Sequence, residues 1–563
     1  METIYLCIII FLFVLAVFDL IVGVSNDAVN FLNSAVGAKA ASFKTILFIA
    51  GIGIFIGASL SNGMMDIARH GIYQPEHFYF AEIMCILLAV MLTDVVLLDV
   101  FNSMGMPTST TVSLVFELLG GTFALSLIKV NNDATLALGD LINTDKALSV
   151  IMAIFVSVAI AFFFGMLVQW LARIVFTFNY TKNIKYSIGL FGGIAATSII
   201  YFMLIKGLKD SSFMTPENKQ WIQDNTLLLI ASFFVFFTAL MQVLHWLKVN
   251  VFKVVVLMGT FALALAFAGN DLVNFVGVPV AGYDSYMMAR ASGDAAMTMG
   301  GLATDASANI LLLLAAGAIM IVTLWTSRRA LSVSKTELSL SNQNEGEERY
   351  GSSVVSRGLV RAAMNVNAFY ERIMPARLQR AVAARFEKLP EEEREGGSYD
   401  LIRATVNLTT ASILISIATS LKLPLSTTYV CFMVSMGSSL ADRAWGRESA
   451  VYRITGVLTV VSGWFVTGFG AFTIAFLVGL TLMYGGNAAV LIVSALCGWM
   501  LVRSNRRKNR AAVAETQQPA ASRAKDTEGV IEECIAEVCY TMGQVTRIYD
   551  RTLIAVFKEN RKV

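Results

Sequence analysis

The sequence predicts an all-α polytopic membrane protein, built as two inverted repeats that contain re-entrant or broken helices. Hydrophobic residues make up 56% of the 563 residues and charged residues only 15%, which is too apolar for an ordinary soluble protein. Stretches long enough to cross a bilayer recur along the chain, and two short polar motifs each occur twice among them.

Apolar segments are the first element of this prediction, because about 20 apolar residues span a hydrocarbon core. Clear segments lie near 3–23, 44–62, 82–104, 148–176, 186–205, 224–246, 251–268, 306–326, 403–422, 450–480 and 482–502. Two further stretches, 110–128 and 424–440, are shorter or more polar and follow Pro-x-Ser-Thr-Thr sequences. They are either re-entrant hairpins or full crossings, which gives about 11 to 13 membrane segments.

Basic residues orient the chain. They cluster in the loops near 173–185 and 248–253, in the stretch 327–402 and at 503–508, and the positive-inside rule assigns all four clusters to the cytoplasm. Counting both short stretches as crossings satisfies all four assignments. We therefore expect a multi-pass protein of the plasma (inner) membrane with a cytoplasmic C-terminus.

The same features divide the chain into regions. We expect a first inverted repeat at 1–210 and a connecting span at 211–250. The second repeat is expected in two parts, at 251–326 and 403–502, separated by a cytoplasmic amphipathic insert at 327–402. A cytosolic tail with a C-terminal helix is expected at 503–563. Arginines and apolar residues at helical spacing indicate the insert's amphipathic helix, and apolar residues spaced from 531 to 549 indicate the terminal helix.

Several function classes are excluded by what the sequence lacks. The net charge is only +3 and the basic residues do not form one face, so we expect no nucleic-acid partner. The chain contains no phosphate-binding Gly-x-x-x-x-Gly-Lys-Ser/Thr loop, no His-Glu-x-x-His and no nucleophile elbow, so we do not expect an enzyme. The six cysteines lack metal-type spacing, and no cofactor is predicted.

Two polar motifs are duplicated. The sequence Gly23-Val-Ser-Asn26-Asp27-Ala-Val-Asn30-Phe31 recurs as Ala268-Gly-Asn270-Asp271-Leu-Val-Asn274-Phe275, and Pro107-Thr-Ser109-Thr110-Thr111 recurs as Pro424-Leu-Ser426-Thr427-Thr428. By the crossing count, the first Asn-Asp motif lies just after a span running inward and the second just after a span running outward. The halves are thus predicted to be inverted, with a site at their interface near the membrane midplane.

The Ser-Thr-Thr sequences favour an anion site. Hydroxyl groups at the start of an apolar helix join the unpaired amides and positive dipole of its N-terminus, so an anion can bind without a fixed positive charge. The predicted phosphate ligands are Ser109, Thr110, Thr111, Ser426, Thr427 and Thr428, together with Asn26, Asn270, Asp27 and Asp271.

The Asn-Asp motifs favour a cation site beside the anion site. Carboxylates are costly in a membrane, and neither motif type contains Arg or Lys, so two aspartates plus phosphate require bound cations. The predicted Na⁺ ligands are Asp27, Asp271, Asn26, Asn30, Asn270 and Asn274. This predicts symport with Na⁺ or H⁺. A carboxylate also accepts a hydrogen bond from a protonated phosphate oxygen, which sulfate does not offer at neutral pH.

Other polar or small residues in the apolar segments have weaker assignments. Asp19, Asp94, Asp99 and Glu117 are either secondary polar contacts or parts of a cation path. Gly51, Gly53 and Gly57 indicate close helix packing.

The paired motifs resemble those of the inorganic phosphate transporter family, the sodium- or proton-coupled phosphate symporters, over about 1–326 and 403–502. The resemblance implies import of inorganic phosphate with Na⁺ or H⁺ through a site between inverted repeats, in a homodimer within the lipid bilayer. Val112 and Tyr429 stand where many members have His. Two alternatives remain: a symporter of sulfate or another oxyanion on the same scaffold, and a membrane phosphate sensor that does not transport.

Overall fold

The computed structural model describes residues 2–103, 108–202, 215–293, 297–304, 309–326, 353–358, 360–361, 365, 375–387, 397–443, 447–517, 542 and 546. Within these residues the chain is helical, and the only β-type contacts are isolated bridges between Tyr73 and Ile142 and between Tyr79 and Thr298. Backbone contacts group the chain into two compact units, Met1–Ala495 and Leu496–Val563.

The described helices are numbered here in chain order. They are α1 Glu2–Asp27, α2 Val29–Gly37, α3 Phe43–Ser59, α4 Phe80–Ser103, α5 Thr110–Asn132, α6 Leu138–Leu141, α7 Thr144–Phe176, α8 Tyr180–Ile200, α9 Pro216–Asp224, α10 Thr226–Trp246, α11 Val251–Ser292, α12 Ile310–Thr326, α13 Ala376–Arg385, α14 Leu401–Ser420, α15 Thr427–Ala441 and α16 Arg447–Gln517. Short 3₁₀ turns at Ser61–Met64, Pro75–His77 and Gly300–Ala303 and a π-turn at Ile67–Gly71 connect some of them.

Side-chain caps explain where several helices begin. Ser42 accepts a hydrogen bond from the third amide of α3, and Asn143, Asn250 and Asp400 do the same at α7, α11 and α14. Each cap satisfies one of the amides that the first turn of a helix leaves unpaired.

The lengths of the helices agree with a polytopic membrane protein. In the described part of the chain, eight helices are long and apolar enough to cross a membrane, or nine if Phe43–Ser59 and Ser61–Gly71, bent by 61°, form one broken span. Ser187–Ile200 and Ile310–Thr326 are shorter apolar helices. The helix α16 contains a break at Gly486, whose positive φ of 54° favours glycine. The count of 11 to 13 segments stays a prediction.

The sequence-based placement of the second Asn-Asp motif just beyond a span is wrong. Asn270, Asp271 and Asn274 lie in the middle of α11, which continues without a break to Ser292. The reason is the apolar, valine-rich sequence after Asn274, which keeps the segment buried and helical even through Pro279. In the first Asn-Asp motif, by contrast, the helix is interrupted at Ala28, between α1 and α2.

Helices α3 and α11 pack closely through glycine. A methyl group at Gly57 would collide with the backbone carbonyl of Leu265, and one at Gly53 with that of Phe261. Close packing is therefore confirmed for Gly53 and Gly57, whereas Gly51 has only ordinary side-chain contacts.

The predicted insert and terminal helix lie largely outside the described residues. Within 327–402, the structure describes the helix Ala376–Arg385 and a few shorter pieces. Of the predicted helix near 531–549, only residues 542 and 546 are described.

Candidate functional site

All four duplicated motifs meet in one buried cluster. The helices α1, α2 and α11 supply the Asn and Asp side chains, and the first turns of α5 and α15 supply the hydroxyl groups. Each predicted site side chain is at most 5% exposed. Pro107 is outside the described residues.

The carboxylate of Asp27 lies between the two Ser-Thr-Thr sequences. Its Oδ2 accepts a hydrogen bond of 3.2 Å from Thr110 Oγ1, and its Oδ1 accepts one of 3.1 Å from Thr428 Oγ1. Asn30 Nδ2 reaches the second sequence as well, at 3.0 Å from Thr428 Oγ1 and 3.5 Å from Thr427 Oγ1. The first Asn-Asp motif thus contacts the second Ser-Thr-Thr sequence.

The second Asn-Asp motif makes the reciprocal contacts. Thr111 Oγ1 donates to Asp271 Oδ1 at 2.8 Å, and Asn274 Nδ2 lies 3.0 Å from both Thr110 Oγ1 and Thr111 Oγ1. Asn274 Nδ2 also donates to Asp271 Oδ1 at 2.8 Å. Thr111 and Asp271 are 160 positions apart in the sequence, and Asp27 and Thr428 are 401 apart. Residues distant in the sequence therefore form one hydrogen-bonded cluster.

The first asparagine of each motif braces the backbone just before the Ser-Thr-Thr sequence. Asn26 Oδ1 accepts from the amide of Thr108 at 3.2 Å. At the equivalent position in the other motif, Asn270 Nδ2 donates to the carbonyl of Leu425 at 2.7 Å, and its Oδ1 accepts from the amide of Leu425 at 3.5 Å. These contacts hold each helix start against its Asn-Asp helix.

The two serines have a structural role as well as a predicted ligand role. Ser109 Oγ accepts from the amide of Val112 at 3.1 Å, and Ser426 Oγ accepts from the amide of Tyr429 at 3.2 Å, so each is the N-cap of its helix. An N-cap uses the oxygen of the hydroxyl and leaves its proton available to an anion.

This dual role predicts the effects of two substitutions at Ser426. Replacing an N-cap by Ala costs about 1 kcal/mol, whereas Gly costs only a few tenths. We expect Ser426→Ala to lower both the thermal stability and the phosphate affinity of the protein, and Ser426→Gly to lower mainly the affinity, by about threefold to tenfold for one lost hydrogen bond. Melting temperature and equilibrium phosphate binding measure the two effects. Ser42→Ala is the matched control, because Ser42 caps α3 in the same way outside the motifs. Unchanged affinity in Ser426→Gly would remove Ser426 from the site.

Two oxygen atoms in the cluster are suited to a cation. Asp271 Oδ2 and Asn274 Oδ1 are buried and accept no hydrogen bond from the described residues. Buried oxygens of this kind are stabilised by a bound cation. The described residues contain no group of three or more His, Cys, Asp or Glu side chains arranged for a metal ion, so a Na⁺ site here would combine one carboxylate with amide and hydroxyl oxygens.

Residues outside the duplicated motifs also border the cluster. Thr467 of α16 lies 3.1 Å from Thr108 through the two hydroxyl oxygens. One turn earlier, Trp464 stacks on Tyr429 with ring centroids 3.7 Å apart. No local pattern marks Thr467 or Trp464, because their relation to the site arises only from the packing of α16.

A group of acidic side chains lies near the cluster. Asp19, Asp94 and Glu117 are buried and interact electrostatically with one another, and Asp19 also interacts with Asp27. Glu117 Oε1 accepts a hydrogen bond of 2.7 Å from Ser113. Asp99 is at the more exposed end of α4, on the edge of the buried region.

Comparison with known proteins assigns the family. The sequence model of the Phosphate transporter family matches residues 23–334, more than half of the chain, and includes both Asn-Asp motifs and the first Ser-Thr-Thr sequence. The chain belongs to this phosphate transporter family. Its second Ser-Thr-Thr sequence lies beyond the matched residues but contacts the matched Asn-Asp motif through Asn30 and Thr428.

Relatives of this family member include two archaeal proteins named as candidate phosphate permeases. The protein from Pyrococcus horikoshii is 27% identical over 262 residues, which are 46% of this chain and 62% of the relative. The protein from Thermococcus kodakarensis is 32% identical over 98 residues, which are 17% of this chain and 24% of the relative. The match thus spans less than two thirds of either relative.

A solved structure supports the fold. The structure of a sodium-dependent phosphate transporter matches with a TM-score of 0.59 and 17% sequence identity, covering 85% of this chain and 99% of the other. At this identity the likeness concerns the fold, which agrees with an all-helical, polytopic membrane member of the phosphate transporter family.

Proposed function

We propose that the chain is a secondary active transporter that imports inorganic phosphate together with Na⁺ or H⁺. The observation that carries the proposal is the reciprocal hydrogen bonding in which each Asn-Asp motif contacts the Ser-Thr-Thr sequence of the other half. Two helix N-termini and their hydroxyl groups then meet at one point, which suits an anion with four oxygens. Family membership supports phosphate as that anion.

The charges of the cluster support coupling to cations. Among the described contacts, the hydrogen bonds to Asp27 and Asp271 come from Thr and Asn side chains, which carry no charge. Two buried carboxylates plus phosphate then require bound Na⁺ or protonated acids. Asp271 Oδ2 and Asn274 Oδ1 are suitable ligands for such a cation. The name of the structural neighbour supports Na⁺ as the coupling ion.

The same carboxylates support phosphate over sulfate. A protonated phosphate oxygen donates a hydrogen bond to Asp27 or Asp271, and sulfate lacks that proton at neutral pH. A symporter of sulfate or another oxyanion on this scaffold is the second candidate, and a sensor that binds phosphate without moving it is the third.

The transport cycle we propose uses two inverted halves. The pairing of motifs across the two halves suits a site at a repeat interface that opens alternately to the two sides of the membrane. We place the protein in the plasma (inner) membrane with its C-terminus in the cytoplasm, from the distribution of Lys and Arg. We also propose a homodimer, by resemblance to the family.

Uptake of ³²P-phosphate into proteoliposomes tests the function. We expect accumulation driven by an inward Na⁺ gradient, or by an inward H⁺ gradient at matched ionic strength, and the effective gradient identifies the coupling ion. An excess of sulfate should leave the uptake unchanged. Strong inhibition by sulfate would favour the oxyanion carrier, and phosphate binding without accumulation under either gradient would favour the sensor.

A further inference from the structure

The antiparallel helices α14 and α15 carry a second group of buried polar side chains, away from the duplicated motifs. Ser435 follows Thr428 by seven residues, which is two helical turns or about 10 Å along α15, so both residues lie on the same face. Arg403 of α14 reaches the carbonyl oxygen of Ser435, and Asn407 of α14 contacts Ser438, about one turn further along α15.

Direct contacts hold these residues together. Arg403 Nε donates to Ser438 Oγ at 3.3 Å, and Arg403 Nη2 lies 3.5 Å from the carbonyl oxygen of Ser435. Ser438 Oγ in turn donates to Asn407 Oδ1 at 2.6 Å. The acceptor oxygen of Asn407 is therefore occupied.

Three donors of this group have no hydrogen-bond partner among the described residues. They are Arg403 Nη1, Asn407 Nδ2 and Ser435 Oγ, and the three side chains are 0%, 4% and 2% exposed. A buried donor without a partner is costly, and the cost is larger for a charged group. These three donors, one of which belongs to an arginine, are therefore suited to an anionic ligand.

The carboxylates nearest to Arg403 are hydrogen-bonded to another arginine. The electrostatic neighbours of Arg403 are Asp442, Tyr399, Asp400 and Arg173. Arg173 already binds both aspartates through its guanidinium group, at 2.7 Å to each. The formal charges of the two arginines and the two aspartates therefore balance. The described hydrogen bonds of Arg403 go to Ser438 and Ser435 and leave its Nη1 without a partner among the described residues.

We propose that Arg403 Nη1, Asn407 Nδ2 and Ser435 Oγ form a second anion site, which holds inorganic phosphate about two helical turns from the duplicated motifs. The identity of the ligand rests on the proposed function, whereas the site itself rests on the three donors. The site offers donors and no carboxylate free to accept a proton, so it binds sulfate as readily as phosphate.

Equilibrium dialysis of the purified full chain with ³²P-phosphate, at saturating Na⁺, tests the second site. We expect two phosphates per chain, one resistant to excess sulfate and one displaced by it. Arg403→Gln should retain only the sulfate-resistant phosphate. Asn407→Ala and Ser435→Ala should each weaken the sulfate-sensitive binding, by about threefold to tenfold for one lost hydrogen bond, with little change in the other phosphate.

The matched control is Ser439→Ala. Ser439 is also buried with a hydroxyl that lacks a described partner, but it has no contact with Arg403 among those that hold the group together. Its substitution should leave both phosphates in place. A single sulfate-resistant phosphate in a wild-type protein that transports would overturn the second site and leave the proposed function intact. Retention of sulfate-sensitive binding in Arg403→Gln would also overturn it. Two-site binding without any gradient-driven uptake would overturn the proposed function alone.

Discussion

Asp271→Asn is expected to abolish gradient-driven phosphate uptake, with a loss of at least about 100-fold, which corresponds to about 2.8 kcal/mol. The substitution keeps the shape of the side chain and the acceptor for Thr111 but removes the charge that a coupled cation would balance. Asp271 Oδ2 accepts no hydrogen bond from the described residues. In the amide rotamer that keeps an oxygen at Oδ1, the substitution places at this position a nitrogen that cannot bind a cation. Initial rates in proteoliposomes measure the loss.

The controls for this prediction separate transport from folding. Asp271→Asn should keep the elution profile and the membrane level of the wild type, because an amide is no harder to bury than a carboxylate. Asp224→Asn, at an exposed aspartate that ends α9, should transport normally. Wild-type uptake by a protein that carries both Asp27→Asn and Asp271→Asn would contradict the site.

Arg173→Met is expected to give the largest loss of stability. The guanidinium of Arg173 is completely buried and binds Asp400 and Asp442, and Gln169 Nε2 also donates to Asp442 Oδ1 at 2.7 Å. Removing one partner of a buried ion pair costs about 3–5 kcal/mol, because the remaining charges lose their compensation. We expect little folded protein, measured as the monodisperse fraction and the melting temperature in detergent.

Neutralising one of the two acids should rescue this variant. Asp400→Asn, added to Arg173→Met, leaves Asp442 as the counter-charge of the buried Arg403, and we expect much of the melting temperature to return. Arg377→Met, at an exposed arginine of α13, is the matched control and should melt like the wild type. If Arg173→Met melts like the wild type, the buried cluster does not stabilise the fold.

The same cluster gives the stability a pH dependence. Burial raises the pKa of Asp442, but the charge and hydrogen bonds of Arg173 outweigh burial, so the pKa lies below its ordinary value. A carboxyl group with a lowered pKa in the folded state stabilises the protein above its unfolded pKa. That stabilisation is lost as the pH falls through the lowered pKa, so the melting temperature in detergent should fall on the acid side. The double variant Arg173→Met, Asp400→Asn should reduce this dependence without abolishing it, because Arg403 and Gln169 also lower the pKa of Asp442.

The meeting of the four motifs was predictable because they are two pairs of copies. The Asn-Asp motif and the Ser-Thr-Thr motif each occur twice in one membrane chain, and this duplication indicates a common site. A single copy of either motif would indicate only a turn or a helix start. The partners within that site were not predictable, because Asp27 pairs with Thr428 through packing of helices about 400 residues apart in the sequence. The uninterrupted course of α11 through Asn270 was missed because an Asn-Asp pair in isolation favours a helix end.

The buried ion cluster had no signal in the sequence. Arg173 ends an apolar segment, where a basic residue is expected for topology alone. Its partners Asp400 and Asp442 stand at the start of one helix and just after another, and only the fold brings all three together. The unpartnered donors of Arg403, Asn407 and Ser435 likewise had no signal in the sequence, because only the fold brings these residues together.

The central claim is that motifs from the two halves of the chain act as one phosphate site. A double-mutant cycle between Asn30→Ala and Thr428→Val tests it most directly, with the equilibrium dissociation constant of phosphate as the readout, because Asn30 Nδ2 donates to Thr428 Oγ1 at 3.0 Å across the halves. We predict a coupling of about 1 kcal/mol, or about a fivefold departure from additivity, whereas the exposed Thr459→Val should add independently to Asn30→Ala. Additive effects of Asn30→Ala and Thr428→Val on phosphate binding would contradict a shared site.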